Sequence, residues 1–326
     1  MLGSILNLPR NAKVLRSLSF DPFYNLALED WLFQNIDFTN NPLVLFSQNS
    51  PSVILGSFQN PWKEANIKYL KRNGIKLARR SSGGGTVYHD LGNCNVSILT
   101  TKWEYDRKGN LEKICKVLRD NFFISCQVNK KLDIVYEGFK ISGTASRIAR
   151  GKAYHHFTIL FSSDVYALTE SLQSPLQDII KTNATPSVPS PVINLSSVNE
   201  HLNADSFYSV YSDAVLRECR DACCYEIPAD MHEIVIHSHK LSSWDRVYRD
   251  TPKFRISINP NIELVIEKGR VTTLEGNASH ILEPLLKTRL CYQEFVPKYE
   301  EIVENFSECY SENNTLGFNT LIQNLP

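Results

Sequence analysis

The chain has 326 residues, of which 42% are hydrophobic and 21% charged, a balance typical of a globular protein with a buried core. Thirty-five basic residues balance thirty-five acidic ones, so the formal net charge is zero. This excludes a global field that would draw the chain onto nucleic acid or anionic membrane, and no apolar run approaches the length that spans a bilayer. We therefore expect neither nucleic acid nor a membrane as a partner.

The N-terminal twenty residues allow two interpretations. They contain Arg10, Lys13 and Arg16 and no acid, which is typical of an organelle transit peptide. The alternation of residues 12–20 fits an ordinary N-terminal strand equally well. Eight cysteines are scattered along the chain without a C-x-x-C pair, which predicts reduced, mostly buried thiols in an intracellular compartment and no zinc knuckle.

Helices are predicted from caps and apolar periodicity. Asp21 can cap the first, with Pro22 in its first turn, and Asn60 and Gly74 delimit the second. The predicted helices cover residues 21–35, 60–74, 111–123, 204–224 and 292–310.

Strands are predicted from short apolar runs and period-2 alternation. A hairpin turn is expected at Glu137–Gly138 and a tight turn at Lys268–Gly269. The stretch 181–199, rich in Pro, Ser and Thr, predicts a loop over the domain surface. The predicted strands lie within residues 42–48, 52–58, 75–80, 86–90, 93–100, 132–148, 153–161, 232–239, 252–259 and 263–276.

Strands and helices mix without regular β-α-β alternation, which favours an α+β fold over a doubly wound sheet. The pattern changes near residue 248. We therefore predict a catalytic domain over residues 1–247 and a small accessory α+β domain over residues 248–326.

The sequence ARRSSGGGTVYHDLGN, residues 78–93, predicts an anion site. Consecutive glycines allow another molecule to touch the main chain, and successive amides at a turn form a concave cradle for phosphate or carboxylate. Arg79, Arg80, Ser81 and Ser82 bring charge and hydroxyls to the same edge. The glycines connect strand to strand, so neither the Walker loop nor the dinucleotide fingerprint is met. A flexible hairpin tip would need neither the arginines nor the aromatic-His-Asp that follows.

Lys140 lies in a strand, followed by Ser142, Gly143 and Thr144. An inward-facing lysine must meet an anion, and small neighbours leave room for one. Taken alone, a surface lysine on an edge strand is the simpler interpretation. Arg147 follows Lys140 by an odd number of residues, so regular alternation would put the two side chains on opposite faces of the strand. A bulge at Gly143 could bring Arg147 to the same face.

Three other signals are weaker. His155 and His156 face opposite sides of a strand, so one at most points inward, and a hydrogen-bonded structural histidine is favoured. The sequence HEIVIHSH, residues 232–239, has its histidines offset by five and misses the helical zinc motif, which favours an exposed strand. Cys94 could carry an acyl thioester, but a packing role is the better interpretation.

Taken together, RRSSGGGTVYHDLGN, GFKISGTASRI and AYHHFTILF resemble the lipoate–protein ligase A family. The upstream SVILGSFQNPWKEANI is similar to the same family. The segments SPLQDIIKTNATPSVPSPVINL and SWDRVYRDTPKF resemble its eukaryotic, mitochondrial lipoyltransferase branch. The likeness runs from about residue 20 to about residue 260.

This resemblance implies a biotin/lipoate ligase-like α+β fold and a mitochondrial acyltransferase that moves a lipoyl group onto a lysine of a lipoyl domain. It gives Lys140 the catalytic role, because an ammonium can stabilise charge on the phosphate and the acyl oxygen. No metal ligands are implied. By position, the residues expected to bind lipoyl-AMP are Arg80, Ser82, Gly83, Gly84, Gly85, Thr86, Val87, Tyr88, Lys131, Lys140, Arg147 and Thr158.

The implied substrates are lipoyl-AMP or another activated lipoate, with ATP and magnesium as a further option. The implied acceptors are lipoyl domains of 2-oxoacid dehydrogenase E2 subunits, and the glycine cleavage H protein is a further candidate; we expect a monomer. The family usually has Gly-Arg where this chain has Gly56–Ser57, so a cation that could bind triphosphate is missing and a preformed donor is favoured.

Three alternatives stay open. One is an octanoyl or lipoyl carrier-to-carrier transferase that uses Cys94, and another is a non-catalytic lipoyl-nucleotide-binding protein. A biotin ligase is disfavoured because its glycine–arginine-rich adenylate loop is absent.

Overall fold

The structure, a computed structural model, describes residues 12–39, 41–218, 222–276, 280–305 and 312–326. Most of the candidate transit segment, residues 1–11, lies outside the described residues. The predicted N-terminal strand is present as β1, Ala12–Ser17. No helix in the described ranges combines the length and apolarity needed to cross a membrane.

A six-stranded sheet forms the centre of the larger part of the chain, with strand order β10-β11-β6-β2-β1-β13. Strand β1 runs parallel to its two neighbours, and the remaining pairs are antiparallel. Besides β1, the strands are β2 (Leu43–Ser47), β6 (Asn93–Thr101), β10 (Thr144–Ala149), β11 (Lys152–Leu160) and β13 (Cys223–Ile227).

The two faces of this sheet bury different apolar clusters, because side chains alternate along each strand. One face, with Phe46 and Val96, packs against helices α4 (Arg107–Phe122) and α6 (Ala204–Glu218). The other, with Leu45, packs against α1 and α7 (His232–Leu241). Helix α1, Pro22–Asn35, begins as predicted: Asp21 accepts hydrogen bonds from the amides of Phe23 and Tyr24.

A three-stranded sheet, β4-β3-β5, carries the glycine loop between β4 and β5. Its strands are β3 (Ser52–Leu55), β4 (Lys76–Arg79) and β5 (Val87–His89). The helix predicted over residues 60–74 is broken into α2 (Pro61–Glu64) and α3 (Ile67–Arg72). The break occurs because Asn66 caps a new helix by accepting a hydrogen bond from the Tyr69 amide.

A small sheet, β7-β8-β9, carries Lys140. It consists of Gln127–Val128, Ile134–Tyr136 and Phe139–Lys140. The predicted hairpin turn is confirmed: Glu137 and Gly138 have φ values of 48° and 84°, as a tight two-residue turn requires.

The C-terminal part has its own four-stranded sheet, β12-β14-β15-β16, and the predicted turn at Lys268–Gly269 joins β15 to β16. Strand β12, Ile180–Thr182, comes from before the predicted domain boundary and pairs with β14. Trp62 also packs into this core. The division near residue 248 therefore stays a prediction. The remaining elements are α5 (Val165–Leu172), β14 (Phe254–Asn259), β15 (Ile262–Glu267), β16 (Arg270–Gly276), α8 (Tyr292–Asn305) and α9 (Glu312–Gln323).

The strand predicted over residues 232–239 is wrong. These residues form helix α7, His232–Leu241. Ile234, Ser238 and Leu241 are its buried residues, a spacing of four and three that follows the helical period. The strand was predicted because the segment is rich in β-branched residues, although its buried positions follow the helical spacing. No group of three potential metal ligands is present within the described ranges, here or elsewhere.

Candidate functional site

A cavity of about 380 Å³ lies between the α1 face of the six-stranded sheet and the three-stranded sheet that carries the glycine loop. Leu45 and Ser47 of β2, Asn95 and Ser97 of β6, and His156 and Thr158 of β11 form its floor. Its opposite wall contains Ile54, Gly84, Gly85, Thr86, Val87 and His89. Because these strands alternate, every second residue faces the cavity.

Arg80 lines the cavity and also holds the glycine loop. Its Nη2 donates to the carbonyls of Gly83 (2.7 Å) and Gly85 (2.8 Å), and its Nη1 donates to the Ile54 carbonyl at 3.0 Å. Burial lowers the pKa of this guanidinium to about 10, so it stays charged at neutral pH. The predicted ligand-binding fork of Arg80 is therefore occupied by the loop, and the arginine shapes the cradle from within.

This arrangement leaves amide hydrogens of the loop free for a ligand. In a trans peptide the N–H points away from the preceding carbonyl, so the Gly84 N–H faces away from Arg80. Within the described residues, the amides of Gly84 and Gly85 donate to no backbone carbonyl, whereas Thr86 N donates to Ser187 Oγ at 2.9 Å. Because Gly84 and Gly85 both line the cavity, donors without a partner are present at its wall, as an anion cradle requires.

Lys140 reaches the same cavity from the small hairpin sheet. Its backbone is fixed by a hydrogen bond from its amide to the Pro191 carbonyl at 2.9 Å. Its Nζ lies 2.8 Å from Oδ1 of Asp133, and the side chain is 25% exposed. Lys140, Gly84 and Gly85 all line the cavity, while the ammonium itself is paired with Asp133, which lines a neighbouring groove.

A groove of about 370 Å³ lies on the other side of Lys140. It is lined by Lys130, Lys131, Asp133 and Pro191 as well as by Lys140 itself. The predicted residue Lys131 therefore lies in this groove and not in the cavity. Lys140 is the side chain that the two spaces share.

Three other predicted site residues are placed away from the cavity. Arg147 lies on the α1 face of β10, beyond the cavity-lining Ala145, and its guanidinium pairs with Asp30 of α1 at 3.2 Å without lining the cavity. Tyr88 packs on the opposite face of its sheet in a cluster with Val53. Ser82 lies behind the loop, where its Oγ accepts from Arg80 Nε at 2.9 Å.

Arg79, grouped with the anion site in the sequence, is structural. Its guanidinium donates to the carbonyls of Gln59 (2.7 Å) and Val247 (2.7 Å). It thereby ties the glycine-loop sheet to residues next to the C-terminal sheet. Val87 and Thr158, in contrast, line the cavity, and their binding of lipoyl-AMP stays a prediction.

A polar network around His156 was missed from the sequence. His156 Nδ1 lies 2.9 Å from Glu29 Oε1, and its Nε2 lies 2.9 Å from Ser82 Oγ. Ser97 Oγ donates to the same carboxylate. The sequence did contain a signal for this network: Asn25 and Glu29 stand four residues apart on the buried face of α1, among apolar residues. Buried polar residues at helical spacing indicate a polar wall.

The segment predicted as a surface loop is also a wall of the cavity. Thr185 to Val188 line it, and Ser187 is the hub. Ser187 Oγ accepts from Thr86 N and from Gln59 Nε2 (3.0 Å), and it donates to the Glu64 carboxylate. The buried Gln59 in turn accepts from Thr86 Oγ1 at 2.7 Å. This network fixes the downstream end of the glycine loop.

Replacing Ser187 with alanine removes the hydroxyl that bridges Thr86, Gln59 and Glu64. Loss of a hydrogen-bonded hub of this kind costs about 1–2 kcal/mol. We expect the dissociation constant of an acyl-nucleotide ligand to rise roughly 5- to 30-fold, measured by calorimetry. The exposed Ser242→Ala variant is the control. Equal affinity of both variants would show that the segment does not order the cradle.

Cys94 lies on the other face of the six-stranded sheet. It packs with Val96 and Phe46 and does not line the cavity. Burial raises the pKa of its thiol to about 12, which keeps it protonated at neutral pH. The packing interpretation of Cys94 is supported by both its position and its protonation.

Comparison with known proteins identifies the family of this chain. The family described as "Lipoyl protein ligase A/B catalytic domain" matches residues 21–216. The mitochondrial lipoyl amidotransferase of Homo sapiens is 41% identical over 275 residues, covering 80% of this chain and 71% of its own length. The Mus musculus protein of the same name is 44% identical over 255 residues, covering 76% and 68%.

Among solved structures, P. falciparum LipL1 in complex with lipoate superposes with a TM-score of 0.62 at 22% identity, covering 91% of this chain and 98% of that one. This likeness confirms the predicted α+β fold of the biotin/lipoate ligase type. Together with the sequence matches, it leads to one assignment: the chain belongs to the lipoyl protein ligase A/B family.

Proposed function

We propose that this protein is a mitochondrial acyltransferase that moves a lipoyl group from an activated donor to a lysine of lipoyl domains of 2-oxoacid dehydrogenase E2 subunits. The observation that carries the proposal is the convergence of Lys140 with the unused amides of Gly84 and Gly85 on one cavity. The relatives named mitochondrial lipoyl amidotransferase support the same reaction and compartment.

The reaction forms an amide and breaks an acyl–phosphate bond. The ε-amine of the acceptor lysine attacks the acyl carbonyl carbon, and the carbonyl oxygen takes up the electron pair. Collapse of the tetrahedral centre expels the nucleoside monophosphate and leaves the amide, while the amine gives up its proton to solvent. The nucleophile belongs to the partner, so the protein contributes positioning and charge stabilisation.

The residues around the cavity have different roles in this reaction. We assign to Lys140, which lines both cavity and groove, the neutralisation of charge on the acyl oxygen and the phosphate. The amides of Gly84 and Gly85 supply fixed donors that need no reorganisation. Leu26, Leu45, Ile54 and Val87 give the acyl tail apolar walls, while Lys130 and Lys131 make the groove suitable for a nucleotide.

We infer that the donor is preformed. Ser57 stands where the family usually carries arginine, and its backbone is used locally: its amide donates to the Ser82 carbonyl at 2.9 Å, and its carbonyl accepts from Arg79 Nη1 at 3.3 Å. A serine hydroxyl cannot neutralise a triphosphate. ATP with magnesium is therefore the less favoured route to lipoyl-AMP on this chain.

One assay tests the proposal. Apo lipoyl domain and the protein are incubated with one of three donors: lipoate plus ATP and magnesium, lipoyl-AMP, or a lipoylated carrier protein. The mass of the acceptor is then measured by mass spectrometry. We expect lipoyl-AMP to work and lipoate plus ATP to fail. No modification from any donor would overturn the proposal. The same assay with H protein as acceptor, and light scattering of the free protein, test the expected second acceptor and the monomeric state.

If the protein were instead a carrier-to-carrier transferase that uses Cys94, replacing this cysteine would abolish transfer. We expect Cys94→Ser to keep full transfer from lipoyl-AMP, because the thiol packs away from the cavity. Initial rates of acceptor modification for the variant and the wild type measure this. Complete loss of transfer in a folded Cys94→Ser protein would instead support a thioester intermediate.

A further inference from the structure

The outer edge of strand β10 carries main-chain groups that the rest of the described structure does not use. Strand β10, Thr144–Ala149, ends the six-stranded sheet at one side and pairs there with β11. Within the described ranges no strand lies on its other side. The free edge of a sheet presents a row of N–H and C=O groups that another chain can pair with.

The register identifies the groups that point outward. The Thr158 amide donates to the Gly143 carbonyl at 2.9 Å, and bonded positions alternate with unbonded ones in an antiparallel pair. The odd-numbered residues of β10 therefore bond to β11, and the backbones of its even-numbered residues point outward. These are Thr144, Ser146 and Ile148. Their outward groups bond to no other main-chain group of the described residues.

The sequence of β10 does not protect this edge. Proteins usually blunt an edge with proline, a bulge or several charges. The strand reads TASRIA, without proline, and its register with β11 is unbroken. Its one charged side chain, Arg147, is held by Asp30 at 3.2 Å. Ile148 is 54% exposed, so an apolar side chain lies uncovered beside the open main-chain groups.

The open edge begins at the cavity. Thr144 and Ala145 line the cavity, as Gly84 does. A Cβ added to Gly84 would lie 3.9 Å from the Thr144 carbonyl oxygen and 3.3 Å from Ala145 Cβ, so the glycine loop lies against the first outward carbonyl of β10. Ser146 and Ile148 follow about 7 and 14 Å further along the strand. The edge therefore leads from the protein surface to the anion cradle.

We propose that an extended segment of the acceptor protein pairs with the outer edge of β10 as an added strand and so guides its target lysine into the cavity. This inference rests on the proposed function and names how the partner of the same site is held. The added strand would lie about 4.8 Å from β10 and exchange hydrogen bonds with Ser146 and Ile148. A lysine at the cavity end of that strand then extends its four-carbon stem past Thr144.

Two observations favour the acceptor over a second copy of this chain. The nucleophile of the proposed reaction belongs to the acceptor, so the acceptor must contact the protein where the edge meets the cavity. Two copies of β10 that paired antiparallel through Ser146 and Ile148 would place Arg147 opposite Arg147. Like charges directly opposite each other on one face are destabilising.

Proline substitution tests the outward amides one at a time. Ser146→Pro and Ile148→Pro each remove one outward N–H and leave the bonds to β11, since proline is tolerated on an edge strand where its nitrogen faces solvent. The matched controls Ser146→Ala and Ile148→Thr keep the N–H. With lipoyl-AMP as donor and apo lipoyl domain as acceptor, we expect each proline variant to raise the KM for the acceptor about 3- to 10-fold, the size of one main-chain hydrogen bond. The controls should behave as the wild type.

The dissociation constant of lipoyl-AMP, measured by calorimetry, should stay within about twofold of the wild-type value in all four variants, because neither residue lines the cavity. Equal KM values for proline and control variants that melt as the wild type does would overturn this inference alone. Weaker lipoyl-AMP binding in the proline variants would place their effect in the cavity and also overturn it. A wild type that transfers nothing from lipoyl-AMP would overturn the proposed function instead.

Hydrogen–deuterium exchange tests the same edge without any substitution. We expect saturating apo lipoyl domain to slow the exchange of the Ser146 and Ile148 amides in the wild type. Unchanged exchange at both amides, under conditions in which the domain becomes lipoylated, would contradict strand pairing. Light scattering tests the other occupant: a wild-type dimer that Ser146→Pro converts to a monomer would show that a second copy, and not the acceptor, pairs with β10.

Discussion

Replacing Lys140 with methionine is expected to lower the rate of lipoyl transfer about 10²–10³-fold, the usual cost of removing one preorganised donor to a developing oxyanion. Methionine keeps most of the length and the apolar stem of the side chain, which lines both the cavity and the groove, but loses its ammonium. Single-turnover transfer from saturating lipoyl-AMP measures this, because it isolates the chemical step from product release.

The matched control is Lys116→Met, which removes an exposed lysine of α4 that pairs with Asp120. It should transfer as the wild type does. Lys140→Met also leaves Asp133 without its 2.8 Å partner, so a thermal melt must accompany the kinetics. A folded Lys140→Met protein with undiminished single-turnover transfer would remove the ammonium from the mechanism.

Gly84→Ala is expected to lower kcat/KM roughly 5- to 100-fold, whereas Gly83→Ala should be nearly neutral. Gly84 has a φ of 90°, a conformation that L-residues rarely adopt. A methyl group there would also meet Arg80 Nη2 at 3.0 Å and Ala145 Cβ at 3.3 Å. The strain, about 1–3 kcal/mol, displaces the loop that presents the cradle amides.

Gly83 supplies an internal control within the same loop, because a Cβ there has no atom of the described structure within 4 Å and its φ is not in the left-handed region. Transfer kinetics with lipoyl-AMP compare the two variants directly. Equal activities would mean that the loop tolerates a shifted backbone and that its amides do not bind the ligand. A large loss at Gly83 alone would place the cradle elsewhere in the loop.

Local patterns were enough to predict most of the elements. The caps at Asp21 and Asn60 and the turns at Glu137–Gly138 and Lys268–Gly269 depend on neighbouring residues only, and the structure has them. The failure at residues 232–239 has a local cause as well. Ile, Val and Ile in succession favour a strand by composition, although the buried positions follow a helical spacing.

The site was predictable only in part, because its geometry depends on contacts between distant segments. Gly84, Gly85 and Lys140 could be found from residue type and from the family resemblance. The sequence could not show that Arg80 would use its guanidinium on Gly83 and Gly85 carbonyls. Two neighbouring arginines look alike in a motif, and only the fold determines which groups they meet.

The same limit applies to residues that the sequence analysis missed. Ser187 contacts residues more than 100 positions earlier in the chain, and no local pattern marks it. Arg147, which motif matching placed at the ligand, instead pairs with Asp30.

A crystal structure of the protein with a non-hydrolysable lipoyl-AMP analogue tests the account most directly. We expect the acyl phosphate mimic within hydrogen-bond distance of Lys140 Nζ and of the Gly84 or Gly85 amide, with the lipoyl tail against Leu45, Ile54 and Val87. An analogue bound elsewhere, or bound in the cavity with Lys140 still turned to Asp133 and out of reach of the phosphate mimic, would contradict the account.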